Sequence, residues 1–347
     1  MACNDQPLQL LQAIEANKIE QAAAALDAGA DIEADRYLGF RVTPLAWAAA
    51  YGHVEIAALL LDRGAQVNGT SPQGQTALVL LCASEIAHIE VAELLVSRGA
   101  SLEVADVEGF TPLLRALYAG KHEMATWLLD QGARVDVVAK RGQTVLHLAA
   151  LQGYPDFARL LQDANVAAMV NVKQGAGWTA LHHAAMEGHL AHVRLLLDAS
   201  ATVDATGDNQ RTALHCACVH GHVEVVRELL QRGARVDAVD EGGWSPLMCS
   251  SNGQATRLLL EFGADRSFKS GRGDTARDTA RSIVLASARA AWEGRQTAEE
   301  LPLFSAFWDR PAQVPTPAGA DAEFVDGAVN SSEIPERDLS VQLAGWM

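Results

Sequence analysis

Long apolar runs are missing from this sequence of 347 residues, and no stretch approaches the roughly 18 apolar residues of a membrane-spanning helix. The amino terminus also lacks the basic segment and long apolar stretch of a secretory signal. Cysteine is scarce, and five residues, an odd number, do not suggest a disulfide framework. Because free thiols are typical of intracellular proteins, we expect a cytoplasmic location, with the nucleus as an alternative.

Positive charge is also in short supply. The chain has 27 Lys and Arg residues against 43 Asp and Glu residues, which gives a net charge of -16. Such a chain repels nucleic acids and anionic membranes, so we expect neither nucleic acid binding nor membrane insertion. The basic patches are small, such as Lys140-Arg141 and the segment 232–235.

Motifs of the common enzyme classes are absent. The sequence contains no phosphate-binding P-loop, no G-x-S-x-G nucleophile elbow and no H-E-x-x-H zinc motif. The glycine-rich segment Gly271–Thr275 follows no predicted parallel strand, which argues against a phosphate site there. We therefore predict a protein that is not an enzyme, with no catalytic residues, no cofactor and no metal.

A short phrase is present instead, and it returns along the chain at a nearly constant interval. It reads Thr-Pro-Leu or a close variant, and successive copies are 33, 35, 33, 35, 33 and 33 residues apart. A period near 33 residues indicates a solenoid of stacked helical units, which usually acts through its surface. The seven copies begin at Thr43, Thr76, Thr111, Thr144, Thr179, Thr212 and Ser245.

Each copy contains the signals of two helices. Thr or Ser caps the first helix, and proline is favourable at the next position because its missing N–H would be unpaired there. An Ala-rich segment follows, and a glycine such as Gly52 or Gly188 ends this helix nine residues after the cap. A second helix has apolar residues three and four positions apart and ends at another glycine, such as Gly64 or Gly233.

This phrase, its period and its two glycines resemble the ankyrin-repeat family from about Leu8 to about residue 290. The resemblance implies an all-α ankyrin-repeat solenoid of stacked helix-turn-helix units with β-turn tips. We predict an amino-terminal capping repeat at 1–37, seven repeats at 38–272 and a degenerate carboxyl-terminal capping repeat at 273–294. Residues 295–347 are rich in proline and acidic residues, so we predict a largely disordered tail.

Some repeats depart from this pattern. Asn165 and Ser200 stand where the second glycine is expected, and a two-residue insertion lies within 166–171. The repeat that begins at Ser245 is three residues short, because Gly263 follows only 18 residues later. Insertions in repeat proteins fall in loops, often on the binding side, so we expect this insertion in a loop and interpret the shortened repeat as a strained or weak joint in the stack.

The 11 histidines invite a metal or catalytic interpretation, but most of them follow the repeat. The resemblance implies that the histidine three residues after the Thr bridges neighbouring repeats by hydrogen bonds. This group is His147, His182 and His215, and a second slot after the mid-repeat glycine holds His53, His88, His122, His189 and His222. The series Cys216-x-Cys218-x-His220-x-His222 cannot converge on one metal, because a spacing of two turns helical side chains apart.

The resemblance implies that a partner binds at the turn tips and on the inner face of the first helices. The corresponding positions are the residue before each Thr and the two residues before the mid-repeat glycine. Large aromatic residues and Arg dominate binding energies at interfaces, which favours a partly apolar groove. From these positions we predict a partner-binding set of Tyr51, Phe110, Tyr118, Leu151, Trp178, Met186, Arg211 and Trp244. The alternative is that the aromatics at the tips only pack on the neighbouring turn.

The leading functional interpretation is a non-catalytic scaffold or adaptor, monomeric by itself, that binds a protein partner through the concave groove and the turn tips. One alternative is a targeting or regulatory subunit of an enzyme complex, such as a ubiquitin ligase or a phosphatase, that docks through residues 295–347. Another is a secreted bacterial effector that acts on host proteins. Asn68, eight residues after Leu60, also has the spacing of asparagines that are hydroxylated in some animal ankyrin repeats.

Overall fold

The computed structural model describes residues 6–33, 42–84 and 88–279. Within these ranges the chain forms seventeen helices and no strand, with two isolated β-bridges, Val138 to Thr144 and Lys269 to Thr275. The helices are α1 Gln6–Glu15, α2 Ile19–Asp27, α3 Pro44–Ala50, α4 Val54–Asp62, α5 Ala77–Ala83, α6 Ile89–Ser97, α7 Pro112–Tyr118, α8 His122–Asp130, α9 Val145–Gln152, α10 Phe157–Leu160, α11 Ala164–Ala168, α12 Ala180–Glu187, α13 Leu190–Asp198, α14 Ala213–His220, α15 Val223–Gln231, α16 Pro246–Cys249 and α17 Gly253–Glu261.

The helices come in pairs that follow the repeated phrase. The hydroxyls of Thr43, Thr76 and Thr111 each accept a hydrogen bond from the backbone N–H three residues later, which caps α3, α5 and α7. Glycine in the left-handed conformation ends α9 at Gly153 and α12 at Gly188. The predicted array of helix-turn-helix units is therefore confirmed for the described residues.

Two layers of helices result from the stacking of these pairs. In the first layer α3 contacts α5, α5 contacts α7, α7 contacts α9, α9 contacts α12, α12 contacts α14 and α14 contacts α16. In the second layer α2 contacts α4, α4 contacts α6, α13 contacts α15 and α15 contacts α17. Small residues such as Ala48, Ala149 and Ala184 are fully buried in the first helices, where they let neighbouring repeats approach closely. The core lies between the two layers and runs from repeat to repeat.

Three buried histidines join the carboxyl-terminal repeats. In α9, α12 and α14 the imidazole Nδ1 accepts a hydrogen bond of 3.1 to 3.2 Å from the backbone N–H of the Thr that precedes the helix. Because Nδ1 is then the acceptor, Nε2 carries the proton and donates it to a carbonyl of the next repeat, at 3.0 to 3.1 Å. The pairs are His147 with Trp178, His182 with Arg211, and His215 with Trp244, so the bridging role implied by the resemblance is confirmed.

The fourth of the seven repeats, which begins at Thr144, differs from the prediction. Its second helix is short, and Asp163 caps a separate helix, α11, by accepting hydrogen bonds from the backbone N–H groups of Asn165 and Val166. Asn165 is therefore helical and does not replace a left-handed glycine, because the two-residue insertion gives the chain room to begin a new turn. Ser200, by contrast, does take the left-handed conformation, with φ of 67°.

The position of His122 corrects the sequence prediction. Lys121 takes the N-cap of α8, so His122 lies one residue past the slot of His53 and packs edge-to-face on Tyr154 at 5.8 Å.

The closing repeat predicted at 273–294 is described only as far as residue 279, and the tail predicted at 295–347 lies outside the described residues. No described helix is long and apolar enough to cross a membrane.

Candidate functional site

Charge separates the two layers of helices. Arg115 and Glu187 are the charged residues of the first helices α3, α5, α7, α9, α12, α14 and α16. Each of the second helices α4, α6, α8, α13, α15 and α17 carries at least two charged residues. The layer of first helices is therefore the side of the molecule on which uncharged side chains meet solvent.

Apolar side chains are exposed at the ends of these first helices. Tyr51 is 46% exposed and Tyr118 is 41% exposed, while Leu151 and Met186 are half-buried. All four belong to the set predicted from the sequence, and Val219, 37% exposed in the equivalent place of α14, extends it. The sequence offered the same positional signal for Val219, although a valine is a weaker interface residue than an aromatic. We call these five residues the inner face.

Hydrogen bonds from the following repeat hold the backbone of the inner face in place. The Gln152 side-chain amide donates to the carbonyl oxygen of Tyr118 at 3.0 Å, and Nε2 of His222 contacts the carbonyl oxygen of Met186 at 2.8 Å. The rings of Tyr118 and Phe110 pack edge-to-face at 5.5 Å. A surface held this way loses little conformational entropy when a partner docks on it.

Phe110 is not exposed, in contrast to the prediction that groups it with the partner-binding residues at the tips. It is 6% exposed, and the guanidinium of Arg115 lies over its ring, 4.5 Å from the centroid. Arg115 in turn forms an ion pair with Asp106, whose other carboxylate oxygen accepts hydrogen bonds from the backbone of the same turn. The guanidinium and the ring cover each other, so Phe110 packs against Tyr118 and offers little surface to a partner.

The other predicted tip residues are half-buried. A Cβ atom on Gly207 would lie 2.7 Å from the Trp178 indole, so this ring covers the tip of the next repeat. A Cβ on Gly242 would lie 2.9 Å from the Trp244 indole, and Arg211 is bound to Asp240 at 3.2 Å. Local packing thus accounts for part of each of these side chains. The predicted helix-end residues are therefore exposed or half-buried, and the tip residues are partly or fully covered by local packing.

The buried histidines and cysteines of this region are held in their neutral forms. Burial lowers the pKa of His147 and of His182 to about 4, and that of His183 to about 3. Burial likewise raises the pKa of the Cys216 thiol to about 12 and that of Cys249 to about 11. Such thiols are poor nucleophiles at neutral pH. Among the described residues, no group of three or more His, Cys, Asp or Glu side chains is placed to hold a metal ion.

Comparisons with known proteins agree with this architecture. A family model described as ankyrin repeats in three copies matches residues 10–106, 83–173, 113–207, 166–240 and 203–270. The chain therefore belongs to the ankyrin-repeat family, whose repeats form a protein–protein interaction module.

Two curated relatives match a part of the chain. It is similar to the ankyrin repeat and SAM domain-containing protein 6 of Rattus norvegicus and to that of Mus musculus, each 39% identical over 69 residues. The matched segment is 20% of this chain and spans 8% of the length of either relative. The likeness therefore concerns repeats and not the whole of those proteins.

Proposed function

We propose that this protein is a non-catalytic scaffold or adaptor that binds a protein partner through the inner face, with Trp178, Arg211 and Trp244 at its edge. The observation that carries the proposal is the exposure of Tyr51, Tyr118 and Val219 in a layer of helices that contains almost no charge. Exposed apolar residues that share one face of a soluble protein are typical of interaction sites, whereas scattered ones carry no such meaning.

The inner face also has the composition of a binding surface. Two tyrosines supply rigid rings with a polar tip, and Leu151 and Met186 supply aliphatic area in the two repeats that follow Tyr118. Aromatic residues of this kind often contribute about 2 kcal/mol or more when a partner buries them. The charged second helices lie in the other layer and keep that side solvated.

A pair of double variants tests the proposal. Tyr118→Ser/Val219→Ser removes two inner-face residues that are 41% and 37% exposed, and Ile19→Ser/Phe262→Ser removes two residues outside that face that are 39% and 43% exposed. The full chain and both variants are used to capture proteins from a lysate of the source cells, with thermal melting as the folding control. We expect the first variant to lose the captured partner and the second to keep it. Loss of the partner from the second variant alone would contradict the proposal.

A further inference from the structure

Three exposed cations stand together at the tips of the fourth and fifth repeats, in a chain whose net charge is -16. Lys140 and Arg141 form the tip between α8 and α9, and Lys173 begins the tip that precedes α12. Within the described ranges, no carboxylate forms an ion pair with any of the three. We call Lys140, Arg141 and Lys173 the basic tips.

The two tips touch each other. The backbone N–H of Gly175 donates to the carbonyl oxygen of Arg141 at 2.6 Å. A Cβ atom on Gly142, which has φ of 78°, would lie 2.9 Å from the carbonyl oxygen of Lys173. The ammonium group of Lys173 donates to the Thr206 carbonyl at 2.7 Å, which ties its side chain to the next repeat. The cations therefore belong to one continuous surface.

Acidic groups border the basic tips on both sides. Glu108 is exposed on the preceding tip, where its carbonyl oxygen accepts a hydrogen bond from the backbone N–H of Lys140 at 2.9 Å. Asp208 is exposed on the following tip, and its backbone N–H donates to the Ala176 carbonyl at 3.1 Å. The charge along the row of tips thus changes from negative to positive and back to negative. Over these four tips, the exposed positive charge is found on the two in the middle.

The same two repeats carry apolar surface next to the cations. The backbone N–H of Gln174 donates to the Trp178 carbonyl at 2.9 Å, so the turn that follows Lys173 closes at Trp178, whose indole is half-buried. The helices that follow the basic tips are α9 and α12, and their second-to-last residues, Leu151 and Met186, are half-buried. The cations and the apolar side chains therefore belong to the same two repeats.

We propose that the basic tips and the adjoining inner face select a polypeptide segment in which acidic residues lie next to aliphatic or aromatic residues. This inference rests on the proposed function, and it adds the chemistry of the partner. The acidic side chains meet Lys140, Arg141 and Lys173, and the apolar side chains lie on Leu151, Met186 and Tyr118. Complementary charge of this kind sets the register of the segment and speeds its association.

Two observations favour a polypeptide over a nucleic acid or an anionic lipid surface. Polyanions bind through many phosphate contacts, whereas this surface offers three cations between two carboxylates in an acidic chain. Phosphate groups gain nothing from the apolar inner face beside the cations, whereas hydrophobic side chains pack on it.

The test begins with a selection from a phage-displayed library of random 16-residue peptides on the full chain at low ionic strength. We expect the enriched peptides to combine an excess of Asp and Glu with aliphatic or aromatic residues. The strongest peptide is then synthesised and measured against Lys140→Glu/Arg141→Glu/Lys173→Glu. A control, Lys18→Glu/Arg235→Glu/Arg266→Glu, changes three exposed cations elsewhere and alters the net charge equally. We expect the tip variant to bind about tenfold more weakly and the control less than twofold, with the difference shrinking at high salt.

The other outcomes separate this inference from the proposed function. Enriched peptides without acidic excess that still lose binding to Tyr118→Ser/Met186→Ser would overturn the inference and leave the proposed function standing. Peptides indifferent to both sets of variants, or no enrichment at all, would overturn the inference, and the capture experiment with the double variants would decide the proposed function. A 20-nucleotide DNA probe that bound the full chain and was released by the tip variant would make the basic tips a polyanion site and overturn the inference.

Discussion

The first helices and the second helices of the repeats differ in their surface charge and in the way they link neighbouring repeats. Second helices hold their charge on the outside and link repeats by ion pairs, such as Arg98 with Asp62 at 2.7 Å and Arg232 with Asp198 at 2.8 Å. First helices link repeats by buried imidazoles and leave Tyr118 exposed, with the Arg115 guanidinium 5.9 Å from its ring centroid as the charge beside it. One layer thus carries most of the surface charge, and under the proposed function the other layer carries the recognition surface.

Among the tests that distinguish the two layers, acid has the largest expected effect on stability, because the buried histidines lie in the first helices. His147 and His182 have a folded-state pKa of about 4, against about 6.5 in an unfolded chain. Between these values the unfolded state binds more protons, so the free energy of unfolding decreases as the pH falls through this window. The full loss is about 3 kcal/mol for each histidine, because it equals the pKa difference multiplied by 1.36 kcal/mol.

Urea unfolding at several pH values between 7 and 4 checks this prediction. In His182→Gln the amide can still accept from the Thr179 N–H and donate to the Arg211 carbonyl. Near pH 5 we expect the variant to have a slope of stability against pH that is smaller by roughly 1 kcal/mol per unit. An unchanged slope would mean that His182 does not remain neutral in the folded chain.

A matched pair of glycines gives the next largest effect. Gly188 ends the first helix α12 and Gly233 follows the second helix α15, with φ of 78° and 85°. A Cβ on Gly188 would lie 2.5 Å from the His222 imidazole, whereas nothing lies within 4 Å of a Cβ on Gly233. Gly233→Ala therefore adds only left-handed strain, about 1 kcal/mol, and Gly188→Ala also adds a clash, for a total of about 3 kcal/mol.

Thermal and urea unfolding of the two glycine variants measure this difference. The His222 ring has little freedom to move aside, because its Nε2 is bound to the Met186 carbonyl at 2.8 Å. Equal destabilisation by both substitutions would show that the contact between neighbouring repeats at Gly188 yields at little cost.

The smallest effect belongs to the ion pairs of the second layer. Arg98 and Asp62 have side chains that are 39% and 63% exposed, so water and salt screen their attraction. We expect Asp62→Asn to lower the free energy of unfolding by less than about 1 kcal/mol, and the difference to vanish in 1 M salt. A large effect that persists at high salt would mean that this layer holds the repeats together by charge and not by packing.

The sequence was sufficient to predict the array, because its period, caps and glycines are local signals that the structure repeats faithfully. It was not sufficient to predict which residues of the candidate surface are exposed to solvent. Phe110 and Tyr118 belong to the same repeat, yet the Arg115 guanidinium covers the first ring and leaves the second exposed. That outcome depends on an ion pair with Asp106, which spacing along the chain does not reveal.

The fourth repeat shows a second limit of sequence reasoning. Counting residues places Asn165 in a glycine slot, but Asp163 two residues earlier provides a better helix cap, and the chain follows the cap. Here a glycine slot and a helix cap compete as local signals. The space left by the insertion decides which one prevails, and their order along the chain does not.

The most direct test of the central claim locates the partner on one layer or the other. A photo-crosslinking amino acid, p-benzoyl-phenylalanine, is placed at Tyr118 in the inner face or at Phe262 outside it, two positions of similar exposure, 41% and 43%. After illumination in a lysate of the source cells, the account predicts a discrete crosslinked partner from position 118 and none from position 262. The same partner crosslinked from position 262 and not from position 118 would contradict the claim that recognition is placed in the first helices.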